Sequence, residues 1–337
     1  MSEKLLTISI AAYNVEQYLE QALTSCLVRE DLKKKIEVIV VNDGSTDNTL
    51  KIANRYAEQY PDIYVVVDKK NSGYGSTVNK SISMAKGKYF KILDGDDWIN
   101  TDGLEAFLDV ADKCSEDLIL SKTKKIFWSE KKIIKEDILA NGEIEEEKTY
   151  DFNTDYNINW YMHNMIVSTE FLRKNKICLT EKCFYTDGEY VFKVISHLRS
   201  FRYIDKVIYM YRLGRVGQSV GYEGRIRHKS DSIKVLKNEL EYFVNTHFNT
   251  NNVRNACKKH LTNTATGVIQ YHLLCPYTEE NVKKVQEIDL WIKKNYFEIY
   301  QDMNKKKAIY ILRFFNYKSY AVCRWNELRK ILFMKYA

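Results

Sequence analysis

IEVIVVNDGSTDNTLKIANRYAEQYP, residues 36–61, decides the architecture. Its first six residues are rich in β-branched side chains and do not alternate with polar ones, as expected of a strand covered on both faces. A polar loop, NDGSTD, follows. Leu50, Ala53, Tyr56 and Ala57 then recur at helical spacing until Pro61 ends the helix. Working outward, the same cycle appears on both sides. Upstream, Leu5 to Ala12 is a short apolar run suited to a buried strand, and Val15, Tyr18, Leu19, Ala22, Leu23, Cys26 and Leu27 mark a helix over 15–29. Downstream come IYVVV at 63–67, a Gly/Ser-rich loop, a helix through Val78, Ile82 and Ala85, Gly87 as a stop, and the strand KYFKIL.

Strand-helix alternation with right-handed crossovers gives a doubly wound, mostly parallel α/β sheet. Ligands bind such sheets at the C-terminal ends of the strands. Three loops expected at that edge carry polar residues: Ala12-Tyr13-Asn14, Asn42-Asp43-Gly44 and Asp94-Gly95-Asp96. Past residue 125 the pattern is mixed, with strand-like IFW, MIV and KVIYMY between short helices, and from about 226 long helical patterns dominate.

The stretch KILDGDDWINTD, residues 91–102, ends an apolar run with three carboxylates. Adjacent carboxylates repel, and burying them costs free energy unless something positive compensates. The spacing Asp94-x-Asp96 puts two carboxylates on one side of an extended backbone. Both can then reach one hard cation, Mn²⁺ or Mg²⁺, whose open positions take phosphate oxygens. Such an ion neutralises charge on a departing diphosphate. The competing structural reading is that Asp94 or Asp97 caps a helix starting near Thr101.

A chain of 337 residues that is 45% hydrophobic can bury a sizeable core and form two domains. The seven cysteines are odd in number and lack any CxxC pair, which favours neither a disulfide framework nor a structural zinc site and fits a reducing cytoplasm. No apolar stretch approaches the roughly 18 residues of a spanning helix, and the N-terminus lacks the apolar core of a signal peptide. Net charge is +7, and residues 301–337 carry that whole excess, with nine Lys/Arg against Asp302 and Glu327. Among those basic residues stand Ile309, Leu312, Phe315, Tyr320, Val322, Cys323, Leu328, Ile331, Leu332 and Phe333. That is the pattern of an interfacial helix on an anionic membrane surface, or of a packed helix with a solvated basic face. A nucleic-acid partner is not expected, because the acidic strand-end loops repel phosphate unless a metal intervenes.

The strings ISIAAYN, VNDGSTDNT, NSGYGSTVNKSISMAKGKY and LDGDDW resemble the family 2 glycosyltransferases of the GT-A fold, in order over roughly residues 5–100 and more weakly to about 220. The resemblance implies a GT-A type domain over 1–224, with a nucleotide-sugar half (1–100) and an acceptor half (101–224), followed by a helical region over 225–337. It implies inverting transfer of a hexosyl or N-acetylhexosaminyl unit from a UDP-sugar to an acceptor hydroxyl. Cell-surface polysaccharide or glycolipid synthesis is the expected setting, with a saccharide or lipid-linked acceptor and a peripheral place at the inner face of the membrane.

Within the resemblance, Asp94, Gly95 and Asp96 form the DxD motif at the diphosphate, with Asp94 and Asp96 as metal ligands and Asp97 adjacent. Ala12, Tyr13 and Asn14 lie against the nucleotide, Asp43 accepts a hydrogen bond from uracil, and Asn71 and Gly73 belong to the donor loop. The chemistry agrees: an aromatic ring offers a stacking face, and a carboxylate pairs with an imide N–H. FYTDGEYVFKV, residues 184–194, places Asp187 at the position of the catalytic base, with Glu189 as the alternative. His163 is assigned to the acceptor site, and Arg212, Arg215 and Gln218 to a segment closing over diphosphate or acceptor. Val78 stands where the family usually has an Arg approaching the phosphates, which leaves the diphosphate to the metal, to N–H groups near Gly73 and Gly75, or to Lys70. Two other readings compete. A sugar nucleotidyltransferase would carry a Gly-rich basic loop where this chain has AAYNVEQ, and a non-catalytic membrane-surface binder leaves the acidic loops unexplained.

Overall fold

A computed structural model of the chain describes residues 4–129, 132–139, 145, 148–152, 158–214 and 218–336. It divides into two compact units, Met1–Leu213 and Gly214–Ala337, where the sequence pattern put the change at 224/225.

The first unit opens with β1 (Leu6–Ala12), α1 (Leu19–Ser25), a 3-10 turn (Glu30–Lys35), β2 (Ile36–Asn42), α2 (Thr49–Gln59), β3 (Tyr64–Asp68), α3 (Tyr74–Met84) and β4 (Tyr89–Asp94). It continues with β5 (Trp98–Ile99), α4 (Thr101–Val110), β6 (Leu118–Ser129), β7 (Lys132–Leu139), β8 (Thr149–Asp151), β9 (Met165–Ser168), α5 (Thr169–Lys174), α6 (Thr186–His197) and β10 (Ser200–Leu213). The strands form one sheet of order β3-β2-β1-β4-β9-β6-β10-β5, with β7 on β6 and β8 on β10. All seven residues of β2 are buried, as the unbroken β-branched run requires of a strand covered on both faces. Each such aliphatic side chain contributes about 1.5–3 kcal/mol of transfer free energy.

Strands β1 to β4 are mutually parallel where they pair, and their ends are in register: Ala12 lies beside Asn42, and Ala11 beside Asp94. Three loops that are distant in sequence therefore start side by side. Beyond β4 the sheet turns mixed. β9 inserts antiparallel between β4 and β6, with Phe90 opposite Val167 and Ile119 opposite Ile166. Because β9 runs the other way, the residues just before it, including His163, arrive at the end of β4 that carries Asp94. β5 pairs antiparallel with β10, which sets Trp98 opposite Met210.

α1 is shorter than the apolar spacing over 15–29 suggests. The amides of Val15 and Glu16 are captured by Thr49 Oγ1 (2.9 Å) and Asp47 Oδ2 (3.1 Å), so this segment is spent bracing the β1 loop against α2.

The second unit contains α7 (Tyr222–Arg227), α8 (Lys229–Asn245), α9 (Asn251–Leu273), α10 (Glu279–Asn295), α11 (Phe297–Met303), α12 (Lys307–Phe314) and α13 (Tyr320–Tyr336). α9 packs against α8, α10, α11 and α13, burying Val253, Cys257, Leu261, Ala265 and Ile269 at helical spacing. Of the tail residues expected at an interface, Ile309, Leu312, Tyr320 and Cys323 are buried, and the Tyr320 hydroxyl donates to His272 O at 2.8 Å. Phe315 and Val322 are exposed and Leu328 is partly buried. The side chains of Ile331, Leu332 and Phe333 lie outside the described residues. No helix among the described residues is long and apolar enough to cross a membrane.

Candidate active site

The chain turns at the end of β4: Asp97 N donates to Asp94 O (3.0 Å) and Gly95 N to Ala11 O (3.1 Å). A Cβ at Gly95 would lie 2.8 Å from Ala11 O, so glycine lets this turn press against the end of β1. The helix-capping reading of Asp94 and Asp97 does not hold, because Asn100 caps α4 by accepting from Gly103 N at 2.8 Å. Asp94 Oδ1 instead accepts from the Tyr74 hydroxyl (2.8 Å), and Asp97 accepts from the Tyr209 hydroxyl (2.6 Å) and Arg212 N (2.7 Å).

Asp97 is 1% exposed. Burial, then the neighbouring charges of Asp96 and Asp94, push its pKa well above the usual carboxylate range. His163 Nε2 lies 3.9 Å from Asp94 Oδ2. Its ring stacks on Tyr211 with centroids 4.4 Å apart and meets Tyr209 edge-on at 4.7 Å. Burial, then Lys91 and Lys125, lower the His163 pKa to about 3, so the ring is a neutral imidazole near pH 7.

Asp94, Asp97 and His163 each present a possible ligand atom, all within 4.8 Å of one another. Two carboxylates crowded against their own repulsion, with one neutral ring nitrogen, form a donor set that suits a divalent cation. Its charge would relieve the repulsion felt at Asp97. Asp96, the expected second ligand, is not one of these three groups; it is partly buried, and its carbonyl accepts from Arg212 Nε at 2.8 Å.

Lys91, in the middle of β4, was not singled out by the sequence. It is fully buried, its ammonium donates to His163 O at 2.8 Å, and it lies 5.3 Å from the Tyr209 ring centre. It ties the segment bearing His163 to the strand bearing Asp94. A lysine inside an otherwise apolar strand was the available signal.

Asp43 is 3% exposed and has a role the sequence did not reveal. It pairs with Lys69 and accepts from Ser72 N (2.9 Å) and Gly73 N (2.8 Å), so it fastens the loop ahead of α3. The N–H of Gly73, expected near the diphosphate, is thus turned to Asp43. Ala12 is buried and its carbonyl accepts from Asp43 N at 2.9 Å. Asn14 has φ 50° and its Oδ1 accepts from Thr46 N at 2.8 Å, joining the β1 and β2 loops. Tyr13, between them, is 51% exposed, and Asn71 and Lys70 are exposed as well.

Asp187 lies exposed in the first turn of α6, where a negative charge is favoured by the helix dipole. Burial, then Asp94 and Asp187 among other charges, push the Tyr74 phenol up; Tyr211 responds to burial and the same acids. Asp187 therefore shares one electrostatic neighbourhood with the Asp94 cluster. Glu189, the alternative base, is buried and otherwise engaged. It accepts from Thr180 N (2.9 Å), Thr180 Oγ1 (3.0 Å) and Lys193 Nζ (2.7 Å), stapling α6 to the preceding loop.

Arg212 is 6% exposed, with its guanidinium carbon 4.8–5.0 Å from the ring centres of Trp98, Tyr18 and Trp128. It braces the acid turn through Asp96 and Asp97. Gln218 belongs to the second unit and accepts from Gly214 N at 3.0 Å. Arg215 lies outside the described residues.

A sequence profile described as "Glycosyl transferase family 2" matches residues 7–178, from β1 past His163 and over half of the chain. The chain belongs to glycosyl transferase family 2. An uncharacterised glycosyltransferase of Mycoplasma pneumoniae is 31% identical over 220 residues, which is 64% of this chain and 70% of that protein. The chondroitin synthase of Pasteurella multocida is 32% identical over 140 residues, 41% of this chain and 14% of the synthase. S. aureus TarS 1–349, solved in complex with UDP-GlcNAc, aligns with a TM-score of 0.69 at 18% identity, covering 97% of this chain and 92% of that one. The mannosyltransferase PcManGT from Pyrobaculum calidifontis, solved with GDP-Man and Mn²⁺, gives 0.51 at 15% identity over 98% and 87%. The fold is the GT-A type expected from the alternating strands and helices. Family membership makes the chain a glycosyltransferase and does not favour the nucleotidyltransferase and non-catalytic readings.

Proposed function

We propose that the chain moves a hexosyl or N-acetylhexosaminyl unit from a UDP-sugar to an acceptor hydroxyl with inversion, in the synthesis of a cell-surface polysaccharide or glycolipid. One observation carries this reading: the Asp94, Asp97 and His163 donor set and the exposed carboxylate of Asp187 share one field at the C-terminal edge of the sheet. On the donor side, Tyr13 offers an exposed ring to the base. Asp43 has one oxygen engaged by a single N–H, which leaves a lone pair for the imide N–H of uracil. The similarity to the chondroitin synthase of Pasteurella multocida supports the setting.

Asp94, Asp97 and His163, with Asp96 on the same turn, would hold Mn²⁺ or Mg²⁺. When bound, such an ion supplies charge neutralisation at the leaving diphosphate. The chain's own groups do the rest. Tyr74 and Tyr209 fix the two carboxylates by donating their hydroxyl protons. Lys91 holds the His163 backbone. Asp187 takes the proton of the acceptor hydroxyl as the new C–O bond forms, a role worth roughly 10²–10⁴-fold in rate.

The same reading puts the protein in the cytoplasm, seated on the anionic inner face of a membrane through the second unit. There the rings of Tyr310, Phe314 and Phe315 are exposed beside Lys306, Lys307 and Lys318. UDP and GDP release from a panel of nucleotide sugars with Mn²⁺, with and without saccharide acceptors, tests the chemistry. Acceptor-stimulated release of UDP is expected. Release confined to GDP donors, or full activity in excess EDTA, would overturn the donor or the metal assignment respectively.

A further inference from the structure

A cavity of about 410 Å³ opens in the second unit between α12 and α13, a size usual for sites that take small molecules. Lys307, Ala308 and Ile311 line it from α12, and Cys323, Asn326, Glu327 and Arg329 from α13. The two helices pack as an antiparallel hairpin. Ser319 Oγ donates to Ile311 O at 3.2 Å and Cys323 Sγ to Ala308 O at 3.7 Å, so each step along α13 from the turn at 315–319 leads back along α12. The lining is therefore sorted along the hairpin. Ile311, Ala308 and Cys323 stand nearer the turn, and Lys307, Asn326, Glu327 and Arg329 stand at the open end.

The exposed residues of the hairpin are sorted in the same direction. Phe314 and Phe315 are exposed at the turn, and Phe314 is seven residues past Lys307, about 10 Å along a helix axis. The apolar face of an interfacial helix sinks roughly 5–10 Å into the boundary between headgroups and acyl chains. With the two rings at that depth, Lys307 and Arg329 stand at the level of the lipid phosphates, and the apolar part of the lining falls between. The lining carries two cations against one acid. That acid, Glu327, is buried and accepts from Gln270 Nε2 at 3.4 Å. Arg329 lies over the Trp325 ring, 5.7 Å from its centre, a contact that favours a guanidinium held near the open end.

Attraction of scattered lysines to a charged surface needs no cavity. A cleft that is apolar toward one end and carries a lysine and an arginine at the other suits one molecule with a hydrocarbon chain and a phosphate head. We propose that this cavity binds a single anionic phospholipid, with its phosphate on Lys307 and Arg329 and the start of one acyl chain along Ala308, Ile311 and Cys323. The planar fork of the arginine matches two phosphate oxygens, and the lysine adds a point charge. The site rests on the reading that the second unit is seated on a membrane, and adds to it a stoichiometric lipid. A lipid held there is an anchor and not an acceptor for the sugar.

The test uses the full chain and dihexanoyl phosphatidic acid kept below its micelle concentration, with dihexanoyl phosphatidylcholine and inorganic phosphate as comparators. Calorimetry reads affinity and stoichiometry, and the same proteins are sedimented with vesicles containing phosphatidic acid. One equivalent of phosphatidic acid is expected to bind, roughly tenfold or more tighter than either comparator. Arg329→Glu, at an exposed position, and Ile311→Asp, at a half-buried one, should each weaken that binding roughly tenfold or more. Lys318→Glu makes the same charge change on the same hairpin outside the lining, and should leave monomeric lipid binding unchanged while weakening vesicle binding. The proposal is overturned if phosphatidylcholine or phosphate binds as well as phosphatidic acid, if Lys318→Glu matches Arg329→Glu toward the monomeric lipid, or if no monomeric lipid binds. Vesicle binding that persists in that last case would leave the membrane seat standing. No vesicle binding by the unaltered protein would count against the seat itself.

Discussion

Two aspartates, one in each unit, are equally buried and live in opposite circumstances. Asp97 and Asp289 are both 1% exposed. Asp289 accepts from Arg313 Nε (2.8 Å), Arg313 Nη2 (2.5 Å) and the Tyr317 hydroxyl (2.6 Å), so its charge is matched by a guanidinium in bidentate contact. Asp97 draws its hydrogen bonds from a phenol and a backbone amide, and after burial the charges that raise its pKa are those of Asp96 and Asp94. The first arrangement is complete without a ligand. The second holds negative charge in reserve, and its elevated pKa expresses that deficit of positive charge. Burial alone does not separate a structural acid from a functional one; the identity of the partner does.

The largest expected effect lies at the incomplete site. Asp94→Ala, or chelation of the unaltered enzyme, should lower transfer by roughly 10³-fold or more, since the ion supplies several kcal/mol at the leaving group. Thermal unfolding without metal should scarcely move. Asp97→Asn should share the loss of activity and of Mn²⁺ affinity, yet melt at or above the unaltered protein, because it removes a repelled charge. A lower melting point for Asp97→Asn in the absence of metal would break the comparison, since Asp97 would then be a structural acid like Asp289.

The contrast recurs within one turn of α6. Asp187 is exposed, and Glu189 is buried against Thr180 and Lys193. Asp187→Asn should keep UDP and Mn²⁺ affinity while turnover at saturating donor falls roughly 10²–10⁴-fold. Glu189→Gln should do the reverse, lowering the melting temperature while most turnover per folded molecule survives. Near-normal turnover in Asp187→Asn would remove it as the base. A large loss in Glu189→Gln with unaltered stability would move the base there.

At the completed site the effect is on stability alone. Asp289→Ala leaves the Arg313 guanidinium, 9% exposed, buried without its carboxylate. Breaking such a pair costs about 3–5 kcal/mol. Denaturant unfolding of the second unit should show this loss, while Mn²⁺ affinity stays unchanged. A change well under 1 kcal/mol would mean that water or a rearranged side chain takes over the pairing.

The donor half was readable because its signals are local. Unbroken apolar runs, polar loops and punctuating Pro61 and Gly87 each lie within a dozen residues, and they placed β1–β4 and the acid-bearing turns. The grouping of Asp94, Asp97 and His163 was not readable in that way. His163 reaches Asp94 because β9 runs antiparallel beside β4, a pairing that no local pattern encodes. The position of the Asp97 carboxylate depends on Tyr209, 112 residues away in sequence, which donates to it. Glu189 resembled a base by motif position, and only the contacts with Thr180 and Lys193 reveal it as a staple. In the tail, the basic and apolar residues were visible, but Ile309, Leu312, Tyr320 and Cys323 turn inward while Phe314, Phe315 and Tyr310 remain outside.

That division of the tail gives the smallest and most discriminating prediction. Deleting residues 304–337 would remove Ile309, Leu312, Tyr317, Tyr320, Cys323 and Glu327, all buried, from the interior of the second unit, so lost membrane binding could follow from unfolding. Surface exchanges avoid this. Tyr310 and Phe314 stack at 5.9 Å, Phe314 and Phe315 meet edge-on at 5.0 Å, and Phe314 is 68% exposed, so serine at 314 and 315 subtracts apolar area without opening the interior. On sedimentation with vesicles containing anionic lipid, the unaltered protein should bind in a salt-sensitive way. Lys306→Glu should weaken binding at least fivefold, from about 1 kcal/mol per basic residue near an anionic surface. The Phe314→Ser, Phe315→Ser double variant should weaken it at all salt concentrations, because it removes the insertion of rings rather than attraction between charges. Equal binding by the double variant and the unaltered protein would reduce the surface to non-specific charge. No binding by the unaltered protein would leave the second unit as a purely structural companion, its exposed rings unexplained and its acids, like Asp289, serving only the fold.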